Sequence, residues 1–134
     1  MKFFHREKMH NPYRRGTADY WYSGKHRDLW VEYKYLPNLP TRDNTFISAD
    51  LSELQREWLN GRHTEGRNVW VIIGHPKGAV ILQNQHWNDA ITLAHFKEAS
   101  ISTQTLAQLL HMFCQGNDYD NSNIQPSRRI ALKI

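Results

Sequence analysis

The sequence predicts an α/β domain with a central mixed β-sheet flanked by helices. Three observations carry this. Residues 68–73 are largely apolar on both faces, as in a strand covered on both sides. Leu29 to Leu36 alternates, with Glu32 and Lys34 on one side and Leu29, Val31, Tyr33 and Tyr35 on the other. Between these two strands, Leu51, Leu54, Trp58 and Leu59 recur at helical spacing. Strands interleaved with amphipathic helices bury their apolar faces against one another in layers.

In chain order, residues 2–10 are basic and aromatic and read as a short helix ending before Asn11-Pro12, because the residue before proline avoids the α region. Arg14-Arg15-Gly16 is a basic turn. Ala18 to Tyr22 reads as an aromatic strand. Ser23 to Asp28 is a polar, glycine-containing hairpin leading into Leu29 to Leu36, and Asp28 closes it. Pro37 to Ala49 is a loop. Residues 50–60 form a helix that can start on Asp50 with Glu53 or on Ser52 with Gln55, and stops at Gly61. Asn68 to Ile73 and Ala79 to Leu82 are strands around the turn Gly74-His75-Pro76-Lys77-Gly78. Trp87 to Phe96 is irregular or partly helical. Ser102 to Phe113 is a second amphipathic helix. The reading is one domain over 1–116 and a loose Asn/Asp/Ser-rich tail over 117–134.

Bulk properties narrow the function classes. At 134 residues, with 40% hydrophobic content and five tryptophans, the chain supports one domain with its own core. Cys114 is the single cysteine, which excludes an intramolecular disulfide framework and an all-cysteine zinc site. At the end of an amphipathic stretch it reads as a small apolar residue. The net charge of +4 and pI near 9.3 favour a polyanionic partner. No apolar run approaches the roughly 20 residues of a membrane span, and the start has no signal-peptide core. The expectation is a soluble, intracellular protein with no membrane partner. No histidine pair, His26 and His63 included, has metal-ligand spacing.

The chemistry is concentrated at Glu32-Tyr33-Lys34. A carboxylate and an ammonium side by side on an otherwise apolar strand are commonly an exposed ion pair, worth little. Asp19 lies 13 residues earlier, across a hairpin, so pairing of the two strands can bring both carboxylates to one end of the sheet. With the backbone carbonyl of Tyr33 they make an oxygen-rich set suited to Mg²⁺ or Mn²⁺. Lys34 would then lie where it can act on an attacking water or on charge at a phosphate. Gln55 falls inside the apolar stripe of its helix, where a buried amide needs partners. It can serve the site, or cap its own helix.

Taken together, Gly16-Thr17-Ala18-Asp19, then Leu29-Trp30-Val31-Glu32-Tyr33-Lys34, then Leu51-Ser52-x-Leu54-Gln55-x-x-Trp58-Leu59 and a Val/Ile-rich strand resemble the PD-(D/E)xK nuclease superfamily. Within it the pattern is most similar to stand-alone virus-type replication-repair nuclease (VRR-NUC) modules, archaeal-type Holliday-junction resolvases and small phage-encoded endonucleases. The resemblance covers about residues 7–83. One departure is Ala18, where the family often has proline; that position carries no ligand.

The resemblance implies a restriction-endonuclease-like core and a Mg²⁺- or Mn²⁺-dependent DNA endonuclease. Asp19 and Glu32 would bind the metal with the Tyr33 carbonyl, Lys34 would be the catalytic lysine and Gln55 the helical glutamine. Many members add a glutamate on the first helix, for which Glu7 is the candidate. Arg14, Arg15, Lys25, Arg27, Arg56, Arg62 and Arg67 would contact DNA phosphates. Branched or junction DNA, a homodimer, and a host cytoplasm if the chain is phage-encoded complete what the resemblance implies. A restriction- or nicking-type enzyme on ordinary duplex, and a non-catalytic nucleic-acid-binding protein keeping the fold, stay open on the sequence.

Overall fold

The computed structural model describes residues 5–9 and 16–116. Arg14, Arg15, the Asn11-Pro12 stop and the 117–134 tail lie outside them. The elements are β1 (His5–Lys8), β2 (Tyr20–Ser23), β3 (Asp28–Tyr35), β4 (Phe46–Ile47), α1 (Glu53–Thr64), β5 (Val69–His75), β6 (Gly78–Leu82), β7 (Ile91–Thr92), α2 (Leu93–Ala99) and α3 (Thr103–Gln115). The main sheet has the order β1-β2-β3-β5-β6, and β4 pairs with β7 in a small second sheet. All main-sheet pairs are antiparallel except β3 with β5. A parallel pair needs a crossover, and α1 supplies it.

The sheet separates two cores. On the α1 and α2 side, Leu59, Val71, Ile73, Val80, Leu82, Leu93 and Phe96 pack around the fully buried Trp87. On the α3 side, Leu29, Val31, Ile72, Ile81, Leu109, Leu110 and Cys114 form the second cluster. β5 is buried from Val69 to Ile73, as its two-sided apolar pattern predicts. Burial pushes the Cys114 thiol up to about 11, so it sits in the core as an inert thiol. Among the described residues no helix is long and apolar enough to cross a membrane.

Four expectations are corrected. Residues 5–8 form an edge strand, not part of a helix. A helix of about nine residues is marginal in water, whereas β2 offers an unpaired backbone edge. His5 to Lys8 pair with Ser23 to Tyr20 along that edge, and their charged, exposed side chains suit an outer strand. Secondly, α1 runs through Gly61 to Thr64. An interior glycine costs only about 1 kcal/mol, and the left-handed stop falls at Gly66, with φ of 82°. Thirdly, the stretch around Trp87 resolves into a short 3₁₀ turn, β7 and α2, and the loop before α1 contributes the two-residue β4. Leu54, assigned to the apolar stripe of α1, is exposed.

Candidate active site

The β2–β3 hairpin sets the first contact. Its register pairs Tyr20 with Val31, and one more step sets Asp19 opposite Glu32 just beyond the last paired residue. Directly opposed residues share a face. Freed from the ladder, Asp19 accepts a hydrogen bond from the Tyr33 backbone N–H at 3.2 Å. A strand residue directs its N–H and C=O to the same edge, so the Tyr33 carbonyl also points to the edge that β2 has vacated. The Tyr33 ring turns to the other face, where its hydroxyl lies 2.5 Å from that of Tyr22.

The start of α1 closes the site from above the sheet. Ser52 is the N-cap: its hydroxyl accepts from the Gln55 N–H at 3.1 Å, and its own N–H donates to Gln55 Oε1 at 3.0 Å. Of the two starts open on the sequence, this capping box is the one formed. Gln55 does more than cap. Its Oε1 also accepts from Lys34 Nζ at 3.1 Å, and its Nε2 donates to Glu32 Oε2 at 3.0 Å. Both lone pairs of Oε1 are thereby used, which fixes which way the amide faces. Capping and site roles, alternatives on the sequence, are one network.

Glu32 is 2% exposed. Its Oε2 lies 3.8 Å from Lys34 Nζ, while its Oε1 is buried with no hydrogen-bond partner. Burial, and then the neighbouring Asp19 carboxylate, push its pKa up to about 7, with Lys34 pulling the other way. A buried carboxylate oxygen without a partner is costly. A proton or a cation relieves it. Among the described residues no three His, Cys, Asp or Glu side chains come together. The donors here are two carboxylates and a backbone carbonyl, which fits a hard divalent cation that retains waters.

Glu7 does not join this cluster. It is exposed on the edge strand β1, two strands away from β3, and its ion-pair partner is His5 at 3.6 Å. Asp28 accepts from Ser23 at the hairpin, as a turn residue does.

Gly16 positions the Asp19 loop. It has φ of 95°, and a Cβ there would meet the Leu54 carbonyl oxygen at 2.5 Å. The loop that delivers Asp19 therefore lies directly against the turn that delivers Gln55. Gly16→Ala is expected to cost about 1–3 kcal/mol through backbone strain and contact, read as a lower denaturation midpoint. An unchanged midpoint would show that this contact is slack.

The basic residues divide. Lys25, Arg27, Arg62 and Arg67 line an open groove of about 950 Å³ that also touches Trp21, Trp30 and Trp58. Arg27 is anchored by the Phe113 carbonyl at 2.9 Å, and Arg62 pairs with Glu65 at 2.7 Å. Arg56 instead holds Asn88 at 2.9 Å, tying α1 to the 3₁₀ turn. The tryptophan wall is an addition to the residues that the sequence pattern singles out. Its signal was present in the sequence: Trp30 precedes Glu32 by two residues on one strand face, and Trp58 follows Gln55 by one helical turn.

No protein-family model and no curated protein matches the sequence. Among solved structures, the chain resembles Hjc of Archaeoglobus fulgidus, a Holliday junction resolvase from an archaeal hyperthermophile. The TM-score is 0.51 at 18% identity, covering 78% of this chain and 88% of that one. The central mixed five-stranded sheet with its helices thus has a resolvase-type, restriction-endonuclease-like fold.

Proposed function

We propose that this chain is a divalent-metal-dependent DNA endonuclease that hydrolyses a phosphodiester to leave 5′-phosphate and 3′-hydroxyl ends. The observation that carries the reading is the buried, unpartnered Oε1 of Glu32, set opposite Asp19 in a network that also fixes Lys34. Asp19, Glu32 and the Tyr33 carbonyl would hold Mg²⁺ or Mn²⁺, which supplies charge neutralisation at the scissile phosphate and acidifies water. Glu7 has no part in this set.

The chain's own groups do the rest. Gln55 holds the Lys34 ammonium by its Oε1 and the Glu32 carboxylate by its Nε2, so neither can turn away. The Lys34 ammonium, partly open to solvent, orients the attacking water and offsets charge that grows on the phosphoryl oxygens. Lys25, Arg27, Arg62 and Arg67 meet backbone phosphates along the groove, an interaction that weakens steeply with salt. The Hjc likeness favours branched DNA, and cutting two strands of a junction favours a homodimer.

The decisive measurement is a substrate panel: four-way junction, flap, nicked duplex and linear duplex, each with Mg²⁺, Mn²⁺ and an EDTA control. Cleavage that needs the metal and favours branched substrates is expected. No cleavage of any substrate with either metal would leave a non-catalytic DNA-binding protein. Equal cleavage of linear duplex would replace junction selectivity with a nicking or restriction-type activity.

A further inference from the structure

The groove carries more than a phosphate grip. Trp30 lies on the Glu32 face of β3, about 7 Å along the strand from it. Trp58 lies one turn beyond Gln55 on α1. The Trp21 and Trp30 rings are 6.1 Å apart, and Trp58 meets Trp30 edge-on at 5.3 Å. All three are half-buried and line the groove beside Lys25 and Arg67, with the Arg62 guanidinium over the Trp58 ring.

Duplex DNA keeps its base faces stacked inside and shows the protein phosphates and groove edges. Lysine and arginine suffice for that surface, and three indoles add nothing to it. An unpaired base exposes its π-face, and aromatic side chains interleaved with cations are the arrangement that takes it. Building on the nuclease reading, we propose that this groove binds unpaired DNA nucleotides, a single-stranded branch or flap adjoining the cleaved strand. Its bases stack on the Trp21–Trp30–Trp58 wall and its phosphates meet Lys25 and Arg67. The substrate class narrows accordingly, from branched DNA in general to branches that carry an unpaired segment.

The test is a binding experiment in EDTA, independent of cleavage. Three fluorescent ligands are compared on the wild-type protein: a blunt duplex, the same duplex with a short thymidine overhang, and the same overhang built from abasic residues. Phosphate charge is equal in the last two, so a difference reports base contact alone. Stacking predicts at least about 5-fold tighter binding of the thymidine overhang. Trp58→Leu, which keeps an apolar side chain on the core, should bring that ratio near one. Equal affinity for thymidine and abasic overhangs on the wild-type protein overturns the proposal and makes the tryptophans packing residues only. That comparison decides the matter even if the variant misfolds. Base preference without metal-dependent cleavage would remove the nuclease reading and keep the groove; cleavage without base preference would do the reverse.

Discussion

Glu32→Ala or Lys34→Ala is expected to lower metal-dependent cleavage by at least about 100-fold, the scale on which removal of one preorganised electrostatic group acts. Both side chains project from one face of β3 toward Gln55 and work as a unit. The double variant should therefore lose little more than either single one. DNA affinity measured in EDTA should stay within a few-fold of wild type, because on the proposed reading the phosphate contacts would come from Lys25, Arg27, Arg62 and Arg67, which line the groove. Losing the Glu32 anion removes a repulsion toward phosphate and can tighten binding slightly. Circular dichroism checks that both variants fold. Cleavage by Glu32→Ala at the wild-type rate with Mg²⁺ would sink the assignment of this network as the active site.

The grouping of Asp19, Glu32, Lys34 and Gln55 is more legible in the sequence than the ends of the elements that hold it, and the reason is periodicity. Glu32 and Lys34 stand out because a strand alternates, and a charged pair on an apolar run breaks the expected composition of one face. Gln55 stands out because a helix repeats, and an amide inside the stripe needs partners. Asp19 then follows from a hairpin short enough to fix register. Where a segment is too short to show a period, the sequence says little: β4 and β7 have two residues each. The strand β1 is hidden in the sequence for a different reason. Its conformation is set by the open edge of β2, a non-local fact invisible in residues 2–10. The helix end is ambiguous in the sequence because Gly61 and Gly66 look alike there and only Gly66 takes a left-handed φ. The sequence sets Trp30 on the Glu32 face and Trp58 one turn after Gln55, but joining them with Trp21 in one groove needs β2, β3 and α1 placed together.

Relative to Glu32→Gln, the metal-free wild-type protein should lose stability as pH rises from 5 to 8. Burial and the Asp19 carboxylate raise the Glu32 pKa from 4.5 to about 7. Between those two values the folded state binds a proton that the unfolded chain has released. Stability therefore falls with pH through this window, and the penalty is complete above the folded pKa. The full rise corresponds to roughly 3 kcal/mol, an upper bound because relaxation of the site softens the cost. A glutamine has the shape of the protonated acid and carries no charge at any pH. The variant should thus match wild type near pH 5 and exceed it by about 1–3 kcal/mol at pH 8 in EDTA, measured from urea midpoints. Comparing both proteins at each pH isolates the contribution of residue 32. Saturating Mg²⁺ at pH 8 should then return the wild type toward the variant's stability, by about 2.7 kcal/mol at a hundredfold excess over Kd, and leave Glu32→Gln almost unmoved. Parallel stability curves for the two proteins across pH 5–8 would show that Glu32 ionises in the fold as freely as in the unfolded chain. The cost of holding that charge in the fold would then disappear, and with it the argument that this carboxylate is built for a cation.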